Sequence, residues 1–222
     1  MFNFAHRLET GLAGLGIDLT VEAIARLELY FTELKKWARK INLIARSTSD
    51  EQIVENHFLD SLTIMPLLDG LQGHLLDIGT GAGFPALVCK VACPELTVTL
   101  VEPRLKRVSF LGHMVRSLGL QQVKLLSCRV EDQVQLPSSL EFSHITARAV
   151  TDIGSFLRMA ERFSSSSPRL ICMKGPKWQE ELKEAEQILA CSAYSLEKVV
   201  QRFLPFSGAE RNIVLLSVQQ DK

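Results

Sequence analysis

The sequence predicts an α/β fold: a mostly parallel sheet with crossover helices, entered through an all-helical extension. Three observations predict it. Leu75–Pro85 runs from an apolar strand into three glycines and then a proline, the order of a strand, a tight turn and a helix start. From residue 74 onward, apolar runs of strand length alternate with segments of helix length. Residues 1–70 show only three- and four-residue apolar spacing, so the chain divides into a helical extension (1–70) and a sheet domain (71–222).

In the extension, Leu8, Leu12 and Leu15 form one short face that ends at Gly16. Ile24, Leu27, Phe31, Leu34, Trp37 and Ile41 continue as a longer stripe. Its other side carries Lys35, Lys36, Arg39 and Lys40, either a solvated face or a nucleic-acid contact. Ser49 and Gln52 make a capping box for a third helix that stops near Pro66. That helix carries His57, Asp60 and Ser61. A hydrolytic triad is rejected, because its members must converge from separate elements beside an oxyanion hole. The trio is expected to dock the helix onto the sheet domain.

In the sheet domain, strands are expected at Leu75–Ile78, Thr97–Val101, Val123–Ser127, His144–Ala147 and Arg169–Met173. Helices are expected at Pro85–Ala92, Lys106–Leu118, Ile153–Phe163 and Trp178–Ala190. The last apolar segments, Leu196–Phe203 and Asn212–Val218, are joined by too few residues for a parallel crossover, so they predict an antiparallel hairpin.

Lys plus Arg equals Asp plus Glu at 25 each, so only local basic patches can argue for nucleic acid. The five cysteines show neither metal-ligand spacing nor a disulfide framework, and no metal is expected. No long apolar run or signal-peptide pattern appears. A cytoplasmic protein with no membrane partner, acting as a monomer, is the default expectation.

Gly79, Gly81 and Gly83 permit φ > 0 and bare-backbone approach to a ligand, beside free N–H groups at a helix start. Asp77, just inside the strand end, can hold this loop or reach the ligand. The spacing is G-x-G-x-G, with Phe84 where a dinucleotide fingerprint has its third glycine, which disfavours NAD. Glu102 ends the second strand, placed to accept both ribose hydroxyls of a nucleoside. Ligands of open α/β sheets bind at the carboxyl ends of the strands. That rim holds Glu102, then Arg104, Lys106 and Arg107, then Val130 and Glu131, then Arg148, then Lys174 and Lys177. Cations at the start of the Lys106 helix oppose its dipole, which favours a phosphate-rich partner.

The glycine loop resembles the first motif of S-adenosylmethionine-dependent methyltransferases. Lys36-Trp37 with Ile41-Asn42-Leu43, His57 to Ser61, Asp77 to Pro85, Glu102 with Lys106-Arg107, Arg129-Val130-Glu131, Ala147-Arg148-Ala149, Lys174-Gly175 and Glu210-Arg211 together resemble the GidB/RsmG family of ribosomal RNA small-subunit methyltransferases. The resemblance covers nearly the whole chain. It implies a Rossmann-like sheet of five parallel strands plus the hairpin, and S-adenosylmethionine as cofactor. The family's cofactor positions fall on Gly79, Phe84, Val130, Glu131 and Arg148, with Asp77, Gly81, Gly83 and Glu102 completing the site. Arg148 is the expected catalytic side chain, its planar fork clamping a phosphate or base edge. Lys36, Arg39, Arg46, Lys106, Arg107 and Lys174 are the expected RNA contacts. The partner implied is small-subunit ribosomal RNA or its particle, methylated at N7 of a guanine; the alternative acceptor is a protein or small molecule. The chain departs from the family at Ile44-Ala45 and at Asn56, both in the extension.

Guanine N7 carries a lone pair and no proton. Its methylation requires no general base, only alignment of nitrogen, methyl carbon and sulfur, and such positioning is worth roughly 7–11 kcal/mol.

Overall fold

A computed structural model describes residues 2–68, 73–148 and 152–219. The 70/71 boundary and Ala149 therefore lie outside the described residues.

Three helices come first. α1 (Phe4–Leu15) is capped by the Asn3 side chain, which accepts the His6 N–H at 2.9 Å, and closed by Gly16 at φ +65°. Thr20 caps α2 (Val21–Ala38) by accepting from Ala23 N–H at 3.2 Å. α3 (residues 50–62) opens on the Ser49/Gln52 box, with both reciprocal bonds formed. Its middle, Val54–Leu59, winds as a π-helix, which the sequence reading did not foresee.

Seven strands form one sheet in the order β3-β2-β1-β4-β5-β7-β6. The first five, β1 (His74–Ile78), β2 (Thr97–Val101), β3 (Val123–Leu126), β4 (His144–Arg148) and β5 (Arg169–Lys174), are parallel. β6 (Tyr194–Phe203) and β7 (Glu210–Val218) make the antiparallel hairpin, and β7 lies between β5 and β6. The predicted architecture is the observed one. The strand order reverses between β1 and β4, and ligands of such sheets settle at that switch point.

The intervening helices are α4 (Ala86–Ala92), α5 (Leu105–Ser117), α6 (Ile153–Ala160), α7 (Trp178–Glu184) and α8 (Glu186–Ala190). Pro85 is the N-cap of α4 rather than its first turn. The expected helix Trp178–Ala190 breaks at Ala185 (ψ −2°). Ala185 and Ile188 both close on Gly154 of α6, where an added Cβ would lie 2.6 Å from Ile188 Cδ1. That packing takes precedence over a continuous helix.

Two apolar cores flank the sheet. One unites α6, α7 and α8 with Leu76, Ile145, Leu170 and Val214. The other unites α4 and α5 with the extension, running from Phe4 through Leu34 and Phe58 to Leu215. The extension thus shares a core with the sheet domain, and at about 25 cal/mol per Å² such burial is what fixes its position.

Candidate functional site

The turn after β1 adopts the backbone that its glycines predict: Gly79, Gly81 and Gly83 have φ of 68°, 61° and 92°. At Gly83 a Cβ would sit 2.3 Å from the Tyr30 hydroxyl and 2.7 Å from Leu87 Cδ1, so the loop tolerates no side chain there. Tyr30, wholly buried on α2, donates to the carbonyl of Ala82 and stacks on Phe84 with centroids 5.5 Å apart. Asp77 is fully buried beneath the loop. Its Oδ2 accepts from Thr80 Oγ1 at 2.7 Å and Ala86 N–H at 3.3 Å, while its Oδ1 has no partner. Burial pushes its carboxyl up to about 7. Of the two roles expected for Asp77, the geometry assigns it the holding of the loop.

Glu102, 2% exposed at the tip of β2, accepts Gly81 N–H at 3.0 Å on one oxygen and Arg104 N–H at 2.9 Å on the other. A carboxylate offers about four acceptor sites. Each Glu102 oxygen therefore keeps a lone pair for a hydroxyl of a vicinal diol.

Arg148 closes the opposite side from the end of β4. Its Nη1 donates to the Asn56 carbonyl at 2.8 Å and to Asp60 Oδ2 at 3.2 Å; its Nη2 donates to His57 Nδ1 at 3.1 Å. Its guanidinium lies 5.1 Å from the Phe84 centroid. Asp60 is shared, since its Oδ1 accepts Arg211 Nε at 2.9 Å. Burial and the Arg148 charge together depress the His57 pKa to about 3, so the ring is neutral and its proton sits on Nε2. Between these walls lies a cavity of about 610 Å³ lined by the loop, Glu102, Arg104, Arg107, Arg148, His57 and Leu43. A small-molecule cofactor is of that size class.

The profile of the GidB family, described as rRNA small subunit methyltransferase G, matches residues 23–214. The chain belongs to the GidB family. It is 55% identical over 215 residues to a Ribosomal RNA small subunit methyltransferase G of Desulfotalea psychrophila, covering 97% of this chain and 99% of that protein. A second protein of that name, from Syntrophotalea carbinolica, is 38% identical, with 95% and 96% covered. Among solved structures, the magnesium protoporphyrin IX methyltransferase of Synechocystis PCC 6803, determined with bound S-adenosylmethionine, superposes with a TM-score of 0.58. It is 15% identical, with 91% of this chain and 99% of that one covered, a likeness of fold.

Within this GidB chain the expected site residues fall into two groups. Gly79, Gly81, Phe84, Glu102 and Arg148 line the cavity, with Asp77 and Gly83 directly beneath. Val130 and Glu131 do not line it: Val130 is buried in the core with Leu126, Cys128 and Leu136, and Glu131 is exposed. The expected Arg148 clamp is also modified, because three of its N–H directions already end on α3. The trio docks as foreseen: His57 and Asp60 hold Arg148 and Arg211, while Ser61 Oγ bonds back to the His57 carbonyl. Asn56 takes part through its backbone, so its departure from the family leaves that bond intact.

Two of the expected RNA contacts need correction. Lys174 is largely buried, its side chain only 11% exposed, with its ammonium 2.7 Å from Glu181; the end of β5 turns it toward α7. Arg107 points inward, with Nε and Nη2 each 3.3 Å from the Asn42 carbonyl and Nη1 3.6 Å from Glu102. Lys36 stays exposed but pairs with Glu33 at 2.6 Å. Arg39, Arg46 and Lys106 are exposed. Sequence reasoning missed Tyr30, although Leu27 and Leu34 flank it at three and four residues. It also missed Glu55, whose buried Oε1 accepts Phe206 N–H at 2.9 Å and Ser207 N–H at 2.7 Å.

Proposed function

We propose that this chain, a methyltransferase by its family, transfers a methyl group from S-adenosylmethionine to N7 of a guanine in small-subunit ribosomal RNA. It acts in the cytoplasm, on the RNA or its ribosomal particle. When bound, the cofactor supplies an electrophilic methyl carbon on a positively charged sulfur. The residues present fit it. Glu102 would take the ribose diol, the glycine turn would admit the ligand against bare backbone, and Phe84 would wall the cavity beside it. Asp77, Tyr30 and Gly83 hold the turn in shape.

One observation carries the choice of acceptor. Each carboxylate or imidazole lining the cavity already has protein donors: His57 from Arg148, Asp60 from Arg148 and Arg211, Glu102 from two backbone N–H groups. With the remaining lone pairs of Glu102 given to the ribose, an acceptor that must first lose a proton would find no free base among the described residues lining the cavity. A guanine N7 needs none, so positioning and exclusion of water suffice. Arg148 contributes fixed positive charge and its remaining N–H groups on the acceptor side.

The test uses small-subunit particles and naked 16S RNA from cells lacking the protein, incubated with the enzyme and methyl-labelled cofactor. Label at a guanine N7, mapped by strand cleavage at the modified base, is expected. Label only in protein, in small molecules or at another base atom would overturn the reading.

A further inference from the structure

A second cavity, of about 380 Å³, is formed by the connection between α2 and α3 with the adjoining ends of both helices. It is lined by Lys35, Arg39, Ile44, Arg46, Thr48 and Asp50, among others. Of its charged groups, Lys35 and Asp50 neutralise each other at 2.5 Å. The side chains of Arg39 and Arg46 make no ion pair or hydrogen bond among the described residues, in contrast to those of Arg148, Arg107, Arg211 and Lys174. The cavity therefore holds two arginines whose guanidinium donors are free to face a ligand. Two planar forks suit phosphate oxygens, to which arginine binds bidentately.

The location matters as much as the charge. Leu43 walls the methyl-transfer cavity, and Arg107 ties the Asn42 carbonyl to the same wall. Ile44, Ala45 and Arg46 wall the second cavity. Two residues, Ile44 and Ala45, separate Leu43 from Arg46, so their Cα atoms lie at most about 11 Å apart. Two phosphates, one at Arg39 and one at Arg46, would belong to nucleotides flanking the base that enters the methyl-transfer cavity. The volume exceeds that of one phosphate and suits a stretch of sugar–phosphate backbone.

We infer that the Arg39–Arg46 cavity is a phosphate-binding site for the RNA strand next to the methylated base. This rests on the RNA reading above and adds where the strand lies. Phosphate contacts of this kind set register without reading sequence.

The experiment measures binding of a small-subunit RNA fragment across a series of salt concentrations. It compares wild type, Arg39→Ala/Arg46→Ala, and Lys124→Ala/Lys183→Ala as a pair of exposed cations elsewhere. Each phosphate contact contributes about 0.7–0.9 to the slope of log affinity against log salt. Removing two should flatten the slope so that, between 50 and 200 mM salt, wild type loses roughly tenfold more affinity than the double variant. Asp50→Asn, which frees Lys35, should shift affinity the other way. Binding of S-adenosylmethionine, measured by calorimetry, should stay unchanged in all of them. Equal slopes for the pocket and control pairs, or an unchanged slope in the pocket variant, would overturn the inference. Because RNA binding is read directly, failure of this site is distinguishable from failure of methyl transfer by the wild type.

Discussion

Arg148 Nη2 donates to Nδ1 of His57 at 3.1 Å, joining the end of β4 to the π-helical turn of α3. The bond holds only while the imidazole is neutral, and it places the one histidine of the cavity out of reach as a base.

The first prediction follows from that bond. With its folded pKa lowered to about 3 against about 6.5 unfolded, His57 binds fewer protons in the folded state between those values. Its contribution to stability is complete above pH 6.5 and is lost as pH falls toward 3, at up to about 1.4 kcal/mol per pH unit. Denaturant unfolding of His57→Gln, which cannot take up the proton, should show a shallower acid-side loss than wild type between pH 6.5 and 4. In single-turnover methyl transfer, wild type should show no ascending limb set by a base near pH 6–7. Such a limb, abolished by His57→Gln, would sink the base-free mechanism.

Asp77 has the opposite sign. Its folded pKa is raised to about 7, so its contribution is present below the ordinary carboxylate range and is lost as pH rises through about 7. Asp77→Asn keeps an oxygen for Thr80 and Ala86 without a buried charge. We expect it to match or exceed wild-type stability at pH 8 and to abolish the decline that wild type shows as pH rises toward 7. Asp77→Ala strands the Thr80 hydroxyl and Ala86 N–H and should lose about 1–3 kcal/mol. Thermal unfolding of the three proteins at pH 6 and 8 checks the ordering.

At Glu102, two ribose hydrogen bonds to a charged acceptor are worth about 1.5–3 kcal/mol each. Glu102→Ala should therefore weaken S-adenosylmethionine at least tenfold in a calorimetric titration, with the fold retained by circular dichroism. NADH should not bind wild type. Unaltered affinity in the variant would remove Glu102 from the site.

Tyr30 and Gly83 should be coupled. Gly83→Ala strains a φ of +92° and drives its Cβ into the Tyr30 hydroxyl. Tyr30→Phe leaves the Ala82 carbonyl unbonded, costing about 1–3 kcal/mol, but it also removes the atom that clashes. The double variant should lose less than the sum of the singles, by a coupling of about 0.5–3 kcal/mol. Strict additivity in urea unfolding would show that the loop relaxes away from α2.

Arg148→Lys keeps the charge but cannot reach Asn56, Asp60 and His57 together. A large fall in single-turnover rate is expected, with a modest fall in cofactor affinity. A near wild-type rate would reduce Arg148 to a structural tie.

How much of this was legible depended on the range of the interaction. Strands such as Leu75–Ile78 announce themselves by apolar runs, and Gly79, Gly81 and Gly83 by the backbone they permit; both signals are local. The trio on α3 was recognised as a docking patch because its spacing ruled out catalysis. What stayed hidden depends on partners in other elements. Glu55 meets Phe206 and Ser207, Lys174 folds back to Glu181, and Arg107 turns to Asn42. A cation in a sequence reads the same whether it faces RNA or a carbonyl. The π-helical turn Val54–Leu59 has no periodicity of its own in the sequence.

The position of β7 has a consequence for synthesis on the ribosome. Among the described residues β6 pairs only with β7, and β7 follows every other strand and helix of the fold in chain order. Until it emerges, β5 has β4 on one side alone and β6 has no ladder to join. The core that buries Phe4 and Leu8 also needs Ile213 and Leu215. The helices of the extension precede this strand in the chain and stay partly unburied until it is made, and apolar surface exposed in that way is prone to aggregation.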